Sequence, residues 1–323
     1  MKRWIKTLLA LAGLALAAGA AHAAAWPEKP IKLVVPAPPG GSMDVVARLL
    51  AQHLSADLKQ TVIVDNKPGA GGSIGIQAML QAPADGYTLM VTSNNVLVEI
   101  PHVMKTPYDP LKDVKPIATF ARSGLVLVGP PVAGVGDFSS LVTRLKARQG
   151  KGSFASYSTG TSSHYAGLIL NHKLGLDLQH VPFAGSPPAL LQVMGGQVDL
   201  MFDGIATALP QIRAGKLKAY GFTGKARSAY LPDVPTMAEL GYPEINAVGW
   251  LGIISASGVP EELSAQIGAA VRKVATVPAF NESLKGVGLT PDALLTSAQL
   301  RQELVEESGR NAATVRQFNV RID

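Results

Sequence analysis

The sequence feature that decides the fold is the stretch IKLVVPAPPGGSMDVVARLLA, which occupies residues 31–51. Its first part, residues 31–35, is mostly apolar and rich in β-branched side chains, which predicts a buried strand. Two glycines and a serine follow at Gly40, Gly41 and Ser42, and apolar residues then recur at helical spacing over residues 43–55. The stretch therefore predicts a strand that enters a glycine loop and continues into a helix.

The same alternation of strands and helices continues along the chain. Further strands are predicted at residues 61–64, 87–93, 125–128, 154–157, 198–202, 218–222 and 248–254, and further helices at 73–81, 139–148, 164–174, 189–194, 260–275 and 297–316. This rhythm is typical of α/β proteins with a mostly parallel sheet. The chain is longer than a single core usually serves, so we expect two Rossmann-like lobes around a central cleft.

The two lobes are expected to form from a chain that crosses between them twice. The crossings are predicted near Arg122 and near Ile245, because the segment after the second crossing has helices but too few strands for a further domain. One lobe would then comprise residues 26–122 together with 246–323, and the other would comprise residues 123–245.

Residues 1–23 have the pattern of a secretory signal peptide. Lys2, Arg3 and Lys6 precede an apolar run over residues 8–18, and the small-residue motif AHA follows at residues 21–23. The apolar run is shorter than the roughly 20 residues that a transmembrane helix needs. The sequence thus predicts export to the periplasm, with cleavage after residue 23 or a residue or two later.

Composition narrows the classes of partner and chemistry. The chain has no cysteine, which excludes disulfides, thiol nucleophiles and cysteine metal sites. Three of its 29 basic residues lie in the leader, so the remainder carries 26 basic against 23 acidic side chains, and aromatic residues make up only 6%. The basic residues are scattered, so nucleic acid is not an expected partner. A mild positive charge suits an anionic solute.

Two strand-to-helix loops have the features of anion sites. In the first, glycines allow the backbone to approach a ligand, and the helix start leaves N–H groups unpaired and partly positive. In the second, six of the nine residues from 156 to 164 are serine or threonine, which can bind a carboxylate without a buried counter-charge. The candidate ligand contacts are Pro39, Gly40, Gly41, Ser42 and Asp44 in the first loop and Ser156, Gly160, Thr161, Ser162 and His164 in the second.

Each loop also has a plainer interpretation. The first could be a tight turn in which Ser42 or Asp44 caps the helix, and the second could be a solvated serine-rich turn. The two loops belong to different predicted lobes and follow the carboxyl ends of strands, where α/β proteins usually bind ligands. Together they favour two facing sides of one cleft.

Polar residues follow two other predicted strands. The run TSNN at residues 92–95 ends one strand and could donate hydrogen bonds to the same cleft, with Ser93 and Asn94 as the candidate contacts. Asp203 follows the strand at residues 198–202, where it could accept a hydrogen bond from a ligand or cap the next helix.

Signatures of catalysis are weaker. The segment GGSIG at residues 71–75 fits the G-x-S-x-G pattern of serine hydrolases, but residues 66–70 separate it from the preceding strand. A triad of Ser73, Asp137 and His164 is a minor alternative. No Walker loop or H-E-x-x-H motif is present, and His164 and His172, on one predicted helix, would be about 12 Å apart, too far to share a metal ion. No catalytic residue, metal or cofactor is therefore predicted.

An ordered set of motifs runs along the mature chain. The motifs are APPGGSMDVVAR at residues 37–48, NKPGAGG at 66–72, ADGYTL at 84–89, VPFAG at 181–185, GQVDLMFD at 196–203, LPDVPT at 231–236 and GW at 249–250. Together they resemble the Bug family, the extracytoplasmic receptors of tripartite tricarboxylate transporters. The resemblance spans the mature chain, and the ordered set is highly specific.

This resemblance implies a type II periplasmic-binding-protein fold that closes like a Venus flytrap around a small organic carboxylate. The loops at residues 40–42 and 160–162 would grip the carboxylate, Asp203 would contact the rest of the ligand, and Ala184 and Gly185 would line the cleft. The partners would be membrane transporter subunits, and the receptor would be monomeric and non-enzymatic. A periplasmic serine hydrolase that uses Ser73 and a ligand-sensing subunit of a receptor kinase are the alternatives.

Two positions depart from the family pattern. Met43 stands where threonine is common, and Ala184 stands where lysine is frequent. Replacing a hydroxyl and a cation by apolar groups reduces the polar contacts near a ligand. The departures therefore predict a more hydrophobic or aromatic acid as the solute.

Overall fold

The computed structural model describes residues 26–148, 150–292 and 295–321. The predicted signal peptide, residues 1–23, lies outside these ranges. No helix within them combines the length and the apolar character that crossing a bilayer requires.

The described residues form strands and helices in alternation. The strands are β1 (Ile31–Val35), β2 (Val62–Asn66), β3 (Thr88–Ser93), β4 (Val114–Gly129), β5 (Gly152–Ser156), β6 (Leu178–Pro182), β7 (Leu200–Gly204), β8 (Lys218–Phe222), β9 (Val248–Ala256) and β10 (Thr290–Pro291). The helices are α1 (Ser42–Leu58), α2 (Ser73–Leu80), α3 (Asn94–Val98), α4 (Phe138–Ala147), α5 (Ser162–Lys173), α6 (Ser186–Met194), α7 (Ile205–Arg213), α8 (Glu261–Ala275), α9 (Pro278–Gly286) and α10 (Ser297–Phe318). The predicted α/β class is confirmed.

The strands form a mixed sheet in the order β2-β1-β3-β9-β4-β7-β5-β6, and β8 and β10 both pair with β4. β1 is parallel to β2 and β3, and β5 is parallel to β6 and β7. β9 is antiparallel to both β3 and β4. Two parallel βαβ halves are therefore joined through the antiparallel strands β4 and β9.

Strand β4 belongs to both halves of the sheet. Its residues from Val114 to Gly124 pair with β9, whereas those from Leu125 to Gly129 pair with β7 and β8. The partner changes between Gly124 and Leu125, two residues beyond Arg122, where the sequence predicts a crossing. The lobe boundaries themselves stay a prediction.

The prediction of β4 at residues 125–128 was too short. Lys115, Pro116 and Arg122 interrupt the apolar pattern of the missing part, and Pro116 has no N–H to donate. Register shifts between Pro116 and Ala118 and between Thr119 and Ala121 let the strand keep its pairing with β9 past these residues.

Other elements also differ from the predictions: α3, β6 and β10 were not predicted, and the bounds of several helices differ. α5 begins at Ser162 and not at His164. Thr161 is its N-cap, with an extended backbone (φ −108°, ψ 165°), so the helix starts at the next residue. Pro260 precedes α8 as its N-cap and is not in its first turn. The prediction missed α9, which buries only Phe280 and Leu284 and so has a weak apolar pattern.

A shared core fixes the first strand-to-helix loop. Leu33 and Val35 of β1 and Leu50 of α1 are fully buried in the same apolar cluster as Ile267 and Val271 of α8. Burial of a side chain of this size stabilises a fold by about 1.5–3 kcal/mol. The glycine loop between β1 and α1 is thus held between two well-packed elements.

Candidate functional site

A cavity of about 420 Å³ lies between the two halves of the sheet. Its volume is within the range of about 300–1,000 Å³ that is typical of small-molecule sites. Loops after β1, β2, β3, β5 and β6 form its walls, together with the middle of β4 and the start of β9. The lining residues are 36–38, 41–43, 68–72, 93, 95, 96, 99, 123–125, 157–159, 161, 182–186, 204, 247, 249–251 and 289.

The structure brings six of the predicted ligand contacts onto this cavity. They are Gly41 and Ser42 from the first loop, Ser93 from the end of β3, Thr161 from the second loop, and Ala184 and Gly185 from the loop after β6. The two predicted anion loops therefore share one crevice.

The other nine predicted contacts lie outside the cavity lining. They are Pro39, Gly40, Asp44, Asn94, Ser156, Gly160, Ser162, His164 and Asp203. The side chains of four of them, Asn94, Ser156, Ser162 and Asp203, are hydrogen-bonded to lining residues.

Asp44 holds the first loop in shape. Its carboxylate accepts hydrogen bonds from Gly40 N (2.8 Å), Arg48 Nε (3.0 Å) and Asn66 Nδ2 (2.9 Å). Burial by itself would raise the pKa of Asp44, but these donors outweigh burial and hold the pKa below its usual value. In this structure Asp44 is thus a charged organiser of the glycine loop.

Asp203 lies behind the cavity and links three of its loops. It is fully buried and accepts hydrogen bonds from Ser186 Oγ (2.6 Å) and Thr207 Oγ1 (2.5 Å), and Thr207 Oγ1 lies 3.1 Å from Ser42 Oγ. Burial raises the pKa of Asp203 to about 6, because the hydroxyl donors offset only part of the desolvation. Ser42 and Ser186 line the cavity, so Asp203 acts on the site through them.

A buried carboxylate joins the second loop to the segment after β3. Glu99 precedes the 3₁₀ turn Ile100–His102 and accepts a hydrogen bond from Ser162 N, 2.8 Å away, at the start of α5. Ser162 Oγ lies 2.6 Å from Asn95 Nδ2 and 2.9 Å from the Tyr157 hydroxyl. Glu99, Asn95 and Tyr157 line the cavity, and Ser162 lies behind them.

Asn94 is occupied with structural hydrogen bonds. Its Oδ1 accepts a hydrogen bond from Trp250 N (3.0 Å), and its Nδ2 donates to the carboxylate of Glu307 on α10. Consecutive helix residues point about 100° apart. Asn95 therefore occupies the cavity side that the sequence assigned to Asn94.

His164 packs against His180 behind the second loop. Their ring centroids are 3.8 Å apart, and both rings stack on Phe154. His164 Nδ1 accepts a hydrogen bond from Gly160 N (3.2 Å), and His180 Nε2 lies 2.8 Å from Ser156 Oγ. Burial, with His180 adding to it, lowers the pKa of His164 to about 3, and burial lowers that of His180 to about 4. Both rings are thus neutral at pH 7 and support the loop by packing.

Close approach of the backbone requires glycine at two loop positions. Gly185 has φ +114°, and a Cβ there would lie 2.4 Å from Pro38 Cγ in the first loop. Gly160 has φ +75°, and a Cβ there would lie 2.4 Å from Val103 Cγ2. Side chains are strained at such φ values and would clash here, so shape as well as hydrogen bonding sets these loops.

Ser73, the serine of the G-x-S-x-G segment, is buried at the start of α2. Its Oγ accepts a hydrogen bond from Gln77 Nε2 (3.3 Å). Gly71 and Gly72 line the cavity, whereas Ser73 does not. The Ser73 hydroxyl is therefore not presented to a molecule in the cavity.

The cavity lining is poor in charge. Among the lining residues, all of which fall in the described ranges, Glu99 is the one carboxylate and none is lysine, arginine or histidine. Nor do His, Asp and Glu residues in those ranges form any group of three or more that could hold a metal ion. An anion bound in this cavity would be held by neutral donors and helix N-termini.

Glu99 and Tyr157 line the cavity but are not among the predicted contacts. A signal for Glu99 exists, because an acid within the otherwise apolar residues 96–100 is expected to be buried with a partner. The partner, Ser162, is distant in sequence and depends on how the two halves of the sheet pack. The contact between Glu99 and Ser162 therefore cannot be predicted from the local sequence pattern.

Comparison with known families gives a match over most of the chain. Residues 46–320 match the sequence model of the tripartite tricarboxylate transporter family receptor. The chain is also similar to protein BugT of Bordetella pertussis, with 34% identity over 321 residues that cover 98% of each chain.

Solved structures of periplasmic binding proteins share the fold of this chain. The periplasmic binding protein BugD is 31% identical, with a TM-score of 0.85 over 92% of this chain and 99% of that chain. MatC from Rhodopseudomonas palustris with bound malate is 31% identical, with a TM-score of 0.83 over 90% of this chain and 100% of that chain. These likenesses confirm the predicted periplasmic-binding-protein fold.

Proposed function

Because the chain belongs to the family of tripartite tricarboxylate transporter receptors, we propose that it is a solute-binding protein that captures a small organic carboxylate for uptake. Membership of this family agrees with the motifs that resemble the Bug proteins. MatC is a similar protein whose structure holds a carboxylate, malate.

The observation that carries the proposal is the meeting of two strand-to-helix loops on one cavity. Gly41 and Ser42 lie at the start of α1, Thr161 immediately precedes α5, and all three residues line the cavity. A helix N-terminus has a partial positive charge and unpaired N–H groups, which favour an anion. The hydroxyls of Ser42, Ser93 and Thr161 add neutral donors. A ligand carboxylate would lie among these groups.

The apolar residues in the rest of the cavity wall indicate how hydrophobic the solute is. Met43 and Ala184, the two departures from the family pattern, both line the cavity. Leu125, Phe183 and Trp250 add further apolar surface. This wall supports the prediction of a hydrophobic or aromatic acid.

Capture would proceed by closure of two lobes. One lobe comprises residues 26–122 together with 246–323, and the other comprises residues 123–245. Contacts across the cavity include Ser42 with Thr207 (3.1 Å) and Glu99 with Ser162 N (2.8 Å). Strands β4 and β9 run beside the cavity, and β4 passes from one lobe to the other, which suits it as a hinge.

The cellular location and the membrane partners of the protein are inferred from its family and from its predicted signal peptide. The signal peptide at residues 1–23 would direct the protein to the periplasm, where a monomer would deliver the solute to membrane transporter subunits. Binding and release involve no bond breaking, and the buried Ser73 argues against hydrolysis in the cavity. A sensing subunit would use the same binding step and would differ in its membrane partner.

Titration calorimetry of the mature protein with acids and with their amides tests the proposal. We expect malate, benzoate and hexanoate to include binders, and benzamide and hexanamide to bind far more weakly, because helix N-termini favour a negative charge. Ser42→Ala should weaken binding of the acid by about tenfold or more, since a hydrogen bond to a charged group contributes about 1.5–3 kcal/mol.

Ser283→Ala is the matched control. Ser283 lies on α9, outside the cavity lining, and its Oγ donates to Ala279 O. This variant should bind like the wild type. Equal affinity for acids and their amides would contradict capture of a carboxylate.

A further inference from the structure

Glu99 is a buried acid in the wall of the cavity. The residue is only 3% exposed, and its Oε2 accepts a hydrogen bond from Ser162 N at 2.8 Å. Ser162 is the first residue of α5 and follows Thr161, which also lines the cavity. The carboxyl group of Glu99 thus lies beside one of the two helix N-termini that would hold the solute.

The groups of the described residues that hydrogen-bond to this carboxyl group are donors. They are the backbone N–H and the hydroxyl of Ser162. Asn95 Nδ2 donates to Ser162 Oγ at 2.6 Å, so the proton of that hydroxyl is available to Glu99. A proton on Glu99 itself needs an acceptor on a different side of the carboxyl group. Because Glu99 lines the cavity, a bound solute can provide that acceptor.

The residues that face Glu99 give it no positive charge, within the part of the chain that the structure describes. Glu307 on α10 is another acid, and burial together with Glu99 raises the pKa of Tyr157 and of Tyr165, so both hydroxyls are neutral. Arg310, also on α10, pairs with Glu307 at 3.7 Å and is largely exposed. Burial raises the pKa of Glu99 well above its usual value, and Glu307 adds to this despite the two hydrogen bonds. These surroundings favour the neutral carboxyl group, which has a proton to donate.

A solute carboxylate would place a negative charge in this cavity. It is expected among Ser42, Ser93 and Thr161, and no lining residue is lysine, arginine or histidine. An ionised Glu99 would add a second negative charge without a cation to compensate either one. A protonated Glu99 avoids this repulsion, and its O–H can donate to the solute. Hydrogen bonds to a charged acceptor are shorter and stronger than those between neutral groups.

We propose that Glu99 is a solute-binding residue that acts in its protonated form and donates a hydrogen bond to the carboxylate of the solute. This inference rests on the proposed capture of a carboxylate at the same cavity and deepens it. The O–H bond of Glu99 stays intact, so binding requires one proton on the protein and releases none. Where Glu99 is ionised in the empty protein, one proton is taken up with each solute, and the affinity falls by about tenfold for each further pH unit.

Titration calorimetry of the mature protein between pH 7 and pH 10 tests the inference, above the range in which Asp203, with a pKa of about 6, titrates. The probes are malate, benzoate and hexanoate, which stay ionised throughout, and the tightest binder is followed. Its affinity should fall by about tenfold or more towards pH 10, because buried carboxyl groups ionise by about pH 9. In the falling range, titrations in buffers of different ionisation enthalpy should show uptake of about one proton per solute.

Glu99→Gln should remove this dependence on pH. Its amide accepts the hydrogen bond from Ser162 N and donates to the solute as the protonated acid does, so the affinity should stay near the wild-type value at pH 7. Glu99→Met has a similar length but no donor and should bind about tenfold more weakly than Glu99→Gln, or weaker still. Glu282→Gln on α9, at an exposed ion pair with Lys285, is the matched control and should keep the wild-type profile.

The outcomes separate this inference from the proposed function. An acid that binds the wild type with equal affinity from pH 7 to pH 10, or without proton uptake, would overturn the role of Glu99 and leave carboxylate capture standing. A wild-type profile in Glu99→Gln, or equal affinities of the Gln and Met variants, would overturn it as well. If a variant does not fold, the wild-type measurements decide the question. Absence of binding by every acid at every pH would overturn both proposals.

Discussion

Three buried carboxyl groups around the cavity differ in what compensates their charge. Asp44 receives a guanidinium hydrogen bond from Arg48, whereas the donors to Asp203 and Glu99 are neutral hydroxyl and backbone N–H groups. The pKa of Asp44 is accordingly lowered despite burial, and the pKa values of Asp203 and Glu99 are raised by burial. The charge that the fold tolerates near the solute thus depends on single neighbours.

Asp203→Asn should change how stability depends on pH. The pKa of Asp203 is raised from 3.8 to about 6, so its proton is bound more tightly in the folded state. Its stabilising contribution is present below pH 3.8 and is lost as the pH rises through about 6. From about pH 4 to pH 7, the variant should gain stability relative to the wild type by up to about 3 kcal/mol. Urea unfolding at both pH values measures this, and parallel pH profiles would refute it.

Gly160→Ala should destabilise the fold more than a glycine replacement at an open position. A Cβ at Gly160 would meet Val103 Cγ2 at 2.4 Å, whereas at Gly134, with a similar φ of +79°, it would meet nothing within 4 Å. Both variants carry the strain of a left-handed residue, about 1–2 kcal/mol. Gly160→Ala should lose about 1–3 kcal/mol more from the clash.

Denaturant unfolding compares the two glycine variants. Adding Val103→Ala to Gly160→Ala should recover part of the loss, because it removes the atom that the new Cβ meets. Equal losses at residues 134 and 160 would show that the contact with Val103 does not shape the loop.

At the scale of elements, the cavity is assembled from the ends of helices. Thr207 on α7 connects Asp203 of β7 with Ser42 at the start of α1, and Ser186 at the start of α6 joins the same carboxyl group. Three helix N-termini are therefore held in one arrangement by a single buried acid. A substitution that breaks the hydrogen bonds to Asp203 should therefore displace the helix N-termini around the cavity, although it replaces no lining residue.

Thr207→Val should weaken both the fold and the binding of a solute. The substitution keeps the shape of the side chain but removes a donor to Asp203, and a buried polar group left short of a partner costs about 1–3 kcal/mol. Thr143→Val is the control, because Thr143 is exposed on α4 and its hydroxyl donates only to Ser139 O. Its free energy of unfolding should change by less than about 0.5 kcal/mol. Thermal unfolding and calorimetric titration measure both effects, and equal behaviour of the two variants would contradict the link.

Local pattern predicted some elements of this chain well and others poorly. The boundaries of β1 and β8 were predicted correctly, because these strands are short runs of apolar residues that end in turns. The first half of β4 was missed, because its place in the sheet comes from pairing with β9, which is distant in sequence. The α/β class needed only the local signals.

The candidate site was predictable to a similar degree. Gly41, Ser42 and Thr161 were found because a glycine or hydroxyl loop before a helix is a local motif. The pairing of Glu99 with Ser162 and the stacking of His164 on His180 were not found, because each joins segments that only the packed sheet brings together. Orientation was the other limit, since Asn94 and Asn95 are neighbours and only Asn95 lines the cavity.

At the scale of the whole molecule, the cavity lies between two halves that share their central strands. If the halves are the lobes of a closing receptor, a solute that bridges Ser42 and Thr161 should favour the closed form. The distance between the lobes would then depend on the solute.

Small-angle X-ray scattering should detect this closure. We expect the radius of gyration of the mature protein to fall when a binding acid is added at saturation, because both loops then contact one ligand. The amide of the same acid is the control and should leave the scattering curve unchanged. A radius that does not respond to a bound acid would contradict the closing motion.

The continuity of β4 has a consequence for how the protein comes apart. One strand of 16 residues supplies hydrogen bonds to β9 on one side of Gly124 and to β7 and β8 on the other. Each half of the molecule needs β4 to complete its sheet. Unfolding of either half would therefore remove a central strand from the sheet of the other half. A calorimetric scan should accordingly give a single heat-absorption peak, with the two halves melting as one cooperative unit.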